Sequence, residues 1–264
     1  MRFGGNTSCI EICIPGMDEL LVLDCGTGFR NLGNALHAQN EKVHKGRIFI
    51  THPHWDHLQG FPFFKPFYDS ENWFRILMPP VPGVECTDIL KGHMSNTFFP
   101  VTIDMLEADI DCDTFEKGTL NFDHYSIEYA WGNHTIETAM FKIHVNGKTI
   151  VFAPDNEIPL HDSEESRAFI SSFRSFIHGV DVLIHDAQFN MTQHMERQGW
   201  GHSCWETIIP MAIEENVKTL ALTHHDPDSD DAYLSQLDEQ VKAQYGDHFN
   251  ALFFAREGTE LSDF

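Results

Sequence analysis

The sequence predicts an α/β fold, and three observations carry that expectation. Short β-rich runs alternate with helical patterns along the chain, the arrangement in which helices pack on sheets. Two runs, Val182 to His185 and Thr219 to Thr223, are mostly apolar and short, as buried strands are. No repeat, low-complexity tract or linker interrupts the 264 residues, so one domain spanning 1–264 is expected.

Taken in order, Asn6 to Ile14 and Leu20 to Leu23 read as a strand pair across Pro15-Gly16. Asp24-Cys-Gly-Thr-Gly28 makes a turn into a helix from Phe29 to Gln39. Arg47 to Thr51 is an apolar, β-branched run, read as a buried strand that ends directly on His52. Phe61 to Phe67 is aromatic and broken by proline, hence a loop or short helical turn. Between Met78 and Asp123 no element is assigned. Ser126 to Ala130, Ala139 to Val145 and Thr149 to Ala153 read as strands, the last two joined by Asn146-Gly147, a hairpin signal. Helices are expected at Glu164 to Ile177, Trp205 to Asn216 and Asp230 to Tyr245, interleaved with the two apolar strands.

Composition narrows the function classes. No stretch approaches the roughly 20 apolar residues of a membrane span, and Met1 to Cys9 lacks the basic and apolar regions of a secretory signal. A soluble, cytoplasmic protein is expected. The six cysteines (Cys9, Cys13, Cys25, Cys86, Cys112, Cys204) form no C-x-x-C pair, which leaves zinc-ribbon and thioredoxin-like readings without support and makes reduced thiols the expectation. Seventeen Lys and Arg against 40 Asp and Glu give a formal charge of −23. Such a surface repels polyanions, so long RNA or DNA is not the expected partner. Seventeen histidines, by contrast, prompt a search for metal-ligand spacing.

That spacing is found in Thr51-His-Pro-His-Trp-Asp-His57. His52 and His54 alternate as the chain leaves a strand, so both imidazoles can point to one side. Asp56 and His57 follow in the next turn, where the backbone can aim them at a second point. Three imidazoles and a carboxylate within six residues suit borderline metals such as zinc. The plainer alternative is a polar loop that happens to be rich in histidine.

H-x-H-x-D-H after an apolar strand resembles the signature of the metallo-β-lactamase superfamily. The likeness extends to Gly4-Gly-Asn-Thr-Ser-Cys9, Leu23-Asp-Cys-Gly-Thr-Gly28, Gly60-Phe-Pro-Phe63, Gly201-His-Ser203 and Leu222-Thr-His-His-Asp-Pro227. In this order the set resembles the phosphodiesterase and ribonuclease Z-like branch. The resemblance implies a four-layer αββα sandwich with two divalent metal ions, zinc foremost and manganese or iron as alternatives. His52, His54 and His134 would hold the first ion, Asp155 would bridge, and Asp56, His57 and His224 would complete the second. Of His224 and His225, the former directly ends the apolar strand and is chosen. Two ions about 3.5–4 Å apart can share a hydroxide that attacks phosphorus, and Asp56 would orient it. His202 resembles the branch's additional catalytic histidine, a general acid or a stabiliser of the phosphorane. Members of this branch usually begin with a strand before the Gly-Gly-Asn-Thr motif. Here the motif starts at Gly4, so the expectation is either that the strand is absent or that the chain lacks its true beginning.

Several residues carry two readings. Ser203 reads as a helix cap and His202 as functional, against a helix start in which His202 merely packs. His185 and Asp186 either orient a ligand or form a satisfied polar pair at a strand end. Asp24 either orders the metal loop or only shapes its turn. Trp55, Phe61, Phe63, Phe64 and Phe67 line a substrate pocket or form core beneath the loop. The remaining histidines, His194 among them, show no ligand spacing. The expected activity is hydrolysis of a small phosphodiester such as a cyclic nucleotide. The alternatives are a lactonase, thioesterase or β-lactamase on the same metals, a ribonuclease Z-like nuclease, and a non-catalytic metal-binding sensor. A homodimer is common among such relatives.

Overall fold

The computed structural model describes residues 2–39, 43–115 and 118–262. The chain divides into two compact units, Asn6–Lys117 and Met1–Gly5 with Gly118–Phe264.

The first unit is built on a five-stranded sheet. β1 (Ile10–Glu11) pairs antiparallel with β2 (Leu20–Leu23), and β3 (Lys45–Phe49), β4 (Trp73–Met78) and β5 (Asp109–Thr114) follow in parallel. α1 (Thr27–Ala38) connects β2 to β3, α2 (Trp55–Leu58) follows β3, and α3 (Cys86–His93) precedes β5. Val22, Ile48 and Ile76 pack with Phe29, Leu36 and Leu90 and with Phe61, Phe64, Phe67 and Phe74 in one core. Phe29 stacks on Phe64 at 3.8 Å between ring centroids. Each such buried ring contributes roughly 1.5–3 kcal/mol, which fixes the aromatic stretch after α2 as two short 3-10 turns.

The expected strand from Asn6 to Ile14 shrinks to two residues. Its first part bonds elsewhere: the Ser8 carbonyl accepts from Gly26 N at 2.7 Å and the Thr7 carbonyl from Gly28 N at 3.2 Å. The chain ahead of β1 therefore braces the turn into α1 rather than lengthening the sheet. Gly26 is required there, because a Cβ would fall 2.4 Å from the Asp56 carbonyl oxygen. A second correction concerns the thiols. Cys86 on α3 and Cys112 on β5 form a disulfide, their Cα atoms 5.8 Å apart. Cys9, Cys25 and Cys204 remain thiols, as expected. α3 and β5 lie in the segment for which no element is assigned from sequence, and their packing brings the two cysteines together across 26 residues.

The second unit carries a seven-stranded sheet in the order β12-β11-β10-β9-β8-β7-β6. β6 (Thr119–Asn121), β7 (Tyr125–Trp131), β8 (Ala139–Val145) and β9 (Lys148–Ala153) are antiparallel. β9, β10 (Val182–Asp186), β11 (Thr219–Thr223) and β12 (Ala251–Phe254) are parallel. The β8–β9 hairpin turns through Asn146 and Gly147 at φ 49° and 73°, the left-handed pair that an Asn-Gly turn supplies. Four helices, α4 (Glu164–Ile177), α5 (Met191–Glu196), α6 (Trp205–Glu214) and α7 (Asp231–Tyr245), belong to this unit. Ser163 caps α4 through Ser166 N, and Asp230 caps α7 through Tyr233 N. Val151, Leu183, Leu220 and Leu252 of the sheet share a core with Phe173, Ile208 and Val241 of the helices. No helix among the described residues is long and apolar enough to cross a membrane.

The two sheets are alike in one functional respect. β3, β9, β10 and β11 are parallel strands whose C-terminal ends lead to His52, Asp155, Asp186 and His224. Parallel α/β sheets present ligand-binding groups at that end of their strands.

Candidate metal centre

In the first unit, Asp24 organises the loop that carries His52, His54, Asp56 and His57. It is fully buried, with φ 63°, and its Oδ1 accepts from Thr51 N at 2.8 Å. Oδ2 accepts from His57 Nδ1 at 2.7 Å. That bond places the His57 proton on Nδ1 and leaves Nε2 the lone-pair nitrogen, the usual way in which an outer carboxylate orients a ligating imidazole. Asp24 thus does more than shape its turn, since its carboxylate also holds Thr51 and His57 in place. His52 Nε2 and His54 Nδ1 converge to 2.9 Å, near the spacing of roughly 3.3 Å for two imidazole nitrogens on one tetrahedral ion. α2 then turns the chain so that Asp56 Oδ2 lies 3.3 Å from His57 Nε2.

In the second unit, Asp155 stands just beyond β9, buried, with one carboxylate oxygen toward each of two imidazoles. Its Oδ2 is 3.5 Å from His134 Nε2 and its Oδ1 is 3.1 Å from His224 Nε2. His134 Nδ1 donates to the Gly201 carbonyl at 3.0 Å. His225 is turned away, its Nε2 donating to the Ala255 carbonyl at 2.8 Å. His202 Nδ1 donates to Asp186 Oδ2 at 2.6 Å, while Asp186 Oδ1 accepts from Ser203 N at 2.9 Å and Gln188 N at 3.1 Å. Asp155, Asp186, His202 and His224 each offer a donor atom, all within 4.8 Å of one another.

Ser203 does not cap the following helix. Cys204 is the N-cap residue, without a side-chain bond, and the Ser203 hydroxyl donates to the Asn156 carbonyl at 2.6 Å and accepts from Ile158 N at 2.9 Å. The aromatic run divides: Phe61, Phe64 and Phe67 are fully buried, whereas Trp55 and Phe63 are 71% and 46% exposed. Of the strand-end pair, His185 is satisfied by Asn156 and by the Asp186 carbonyl, and burial lowers its pKa below the ordinary value. Asp186 serves His202 instead. Sequence reasoning missed Glu157 and His194, both buried, because neither falls in a ligand-spaced motif.

The beta-lactamase superfamily domain matches residues 20–225. The chain belongs to that superfamily. Ribonuclease Z of Streptococcus pneumoniae (strain CGSP14) is 23% identical over 259 residues, covering 83% of each chain. The structure of the metallo-β-lactamase fold protein YhfI from Bacillus subtilis aligns with a TM-score of 0.66 at 18% identity, over 96% of this chain and 90% of that one. Unliganded yeast PDE1 aligns with a TM-score of 0.67 at 15% identity, over 96% and 93%. The expected metallo-β-lactamase fold is thereby borne out, as is the expectation of a hydrolase within that superfamily. The superfamily implies divalent metal, and the residues fit it: imidazoles whose outer nitrogens are engaged by Asp24 and Gly201, and a buried carboxylate, are donors suited to such ions.

Proposed function

We propose that His52, His54, His134 and Asp155 hold one divalent ion and that Asp56, His57, Asp155 and His224 hold a second, zinc in both, in an enzyme that hydrolyses small phosphodiesters of the cyclic nucleotide class. Both units are read as parts of one catalytic domain, which the superfamily match running from 20 to 225 supports. Two such ions would supply a nucleophile ionised near neutral pH and positive charge at the phosphoryl oxygens.

The observation that carries the reading is the Asp186–His202 pair beside Asp155 and His224. A sugar alkoxide is a poor leaving group and needs a proton as the P–O bond breaks; a thiolate does not. His202, with Nδ1 held by a buried carboxylate, is set to give that proton from Nε2. Asp186 holds the ring and balances the imidazolium charge. Asp56 accepts a hydrogen bond from the attacking oxygen and orients it. A net charge of −23 favours a small anionic substrate over a long one.

Metal analysis paired with a substrate panel tests this. Two equivalents of zinc and turnover of bis(p-nitrophenyl) phosphate and cyclic AMP or cyclic GMP are expected, both activities lost in Asp56→Ala. Hydrolysis of a lactone, thioester or β-lactam with no phosphodiester turnover would overturn the substrate class. Turnover of a tRNA precursor alone would favour the ribonuclease reading, and a single equivalent of metal would remove the bridging role of Asp155.

A further inference from the structure

Glu157 lies two residues beyond Asp155, is buried, and has no part in the chemistry above. Its backbone ties it to the segment that carries His134. Glu157 N donates to the Asn133 carbonyl at 2.8 Å, and Asn133 Nδ2 donates to the Glu157 carbonyl at 2.9 Å. Its side chain ties it to the segment that carries His202. Oε2 accepts from Gly201 N at 2.8 Å, and the two oxygens accept from Gly199 N at 2.9 and 3.0 Å. Behind the carboxylate, His194 Nε2 stands 3.6 Å away.

Between these two segments lies the contact from His134 Nδ1 to the Gly201 carbonyl. Gly201 adopts φ +88°, and a Cβ there would fall 2.0 Å from His134 Nδ1, so backbone meets imidazole at an approach that only glycine permits. A carbonyl can only accept. It therefore holds the His134 proton on Nδ1 and leaves Nε2, the atom facing Asp155, with its lone pair. The residue after Gly201 is His202.

We propose that Glu157 is a positioning residue: by fastening the Gly199–Gly201 turn to the Asn133–His134 segment, it sets the tautomer of His134 for metal ligation and presents His202 in the same movement. The catalytic consequence rests on the dinuclear reading above; the tautomer is a property of the metal-free chain. Glu157→Gln separates this role from mere filling of space. The amide keeps the volume but has one accepting oxygen, and turns an NH2 group toward the N–H of Gly199 or Gly201, which weakens the turn.

The experiment compares ¹⁵N-labelled, metal-free wild type and E157Q by long-range imidazole spectra, with His134 assigned through His134→Gln. Zinc affinity by chelator competition and kcat and KM on bis(p-nitrophenyl) phosphate follow. Wild-type His134 is expected to carry its proton on Nδ1, and E157Q to lose that preference. One of two zinc equivalents should weaken by about ten- to 100-fold, as for other outer partners of metal ligands, with kcat falling more than KM rises. An E157Q protein with the wild-type tautomer and zinc affinity overturns the proposal, and so does a wild-type His134 protonated on Nε2. Should E157Q not fold, Glu157→Asp, which falls one methylene short of the turn, is read in the same way, and the wild-type spectrum decides if neither folds. Absence of phosphodiester turnover in wild type would sink the functional reading alone, since the spectra and zinc titration do not depend on it.

Discussion

Replacing Asp186 by asparagine removes a buried charge beside His202 while keeping the shape of the side chain. The bond at stake is 2.6 Å long and Asp186 is fully buried, so solvent screens it little. Asp186 Oδ1 is already taken by the N–H groups of Ser203 and Gln188. The substituted amide would keep its oxygen on those donors and turn its NH2 group to His202, which favours the neutral ring with Nδ1 as acceptor and removes the counter-charge that supports the imidazolium form. A charge-assisted hydrogen bond of this kind contributes about 1.5–3 kcal/mol. At 1.36 kcal/mol per tenfold, its loss in the transition state lowers kcat by about ten- to 150-fold. The loss should depend on the leaving group. p-Nitrophenolate departs without a proton, whereas a ribose alkoxide needs one, so Asp186→Asn should slow cyclic AMP hydrolysis by that factor and bis(p-nitrophenyl) phosphate hydrolysis far less. The assay is kcat on both substrates at matched metal content. Equal losses on the two would refute the general-acid role of His202 and leave Asp186 a structural residue.

Two further outcomes concern stability. The Cys86–Cys112 bond closes a loop of 26 residues, which on chain entropy contributes about 3.5 kcal/mol. Dithiothreitol should lower the calorimetric Tm of the wild type and leave that of a Cys86→Ser, Cys112→Ser double variant unmoved; an unchanged wild-type Tm would count against the bond. Burial alone would lower the pKa of His194, but its contacts with Cys204 and Glu157 outweigh that and push it up to about 9. The unfolded value is about 6.5, so the stabilisation is fully present below pH 6.5 and is lost as pH rises through about 9. Urea midpoints should fall across that window in wild type and not in His194→Gln, and parallel curves for the two would exclude His194 as the source.

What could be read from sequence was what is encoded within a few residues. The H-x-H-x-D-H run fixes the spacing of its candidate ligands, Asn146-Gly147 fixes its turn, and the regions of α4 and α7 carry their caps. The strands β8 and β11 stand at their expected bounds for the same reason, since apolar patterning is local. The acidic edge strand β5, with an alternation of Asp residues, lies where the sequence assigns no element and is settled by its pairing with β4. β12, four residues long, is likewise settled by its register on β11. Partnerships were beyond the sequence altogether. That Asp24 answers His57, that Asp186 answers His202 rather than His185, and that Glu157 reaches 44 residues to Gly201 follow from which segments meet beyond the strand ends. The candidate ligand types and their spacing are local chemistry and legible; the groups that hydrogen-bond to those side chains come from segments far apart in the chain, which only the tertiary structure brings within reach.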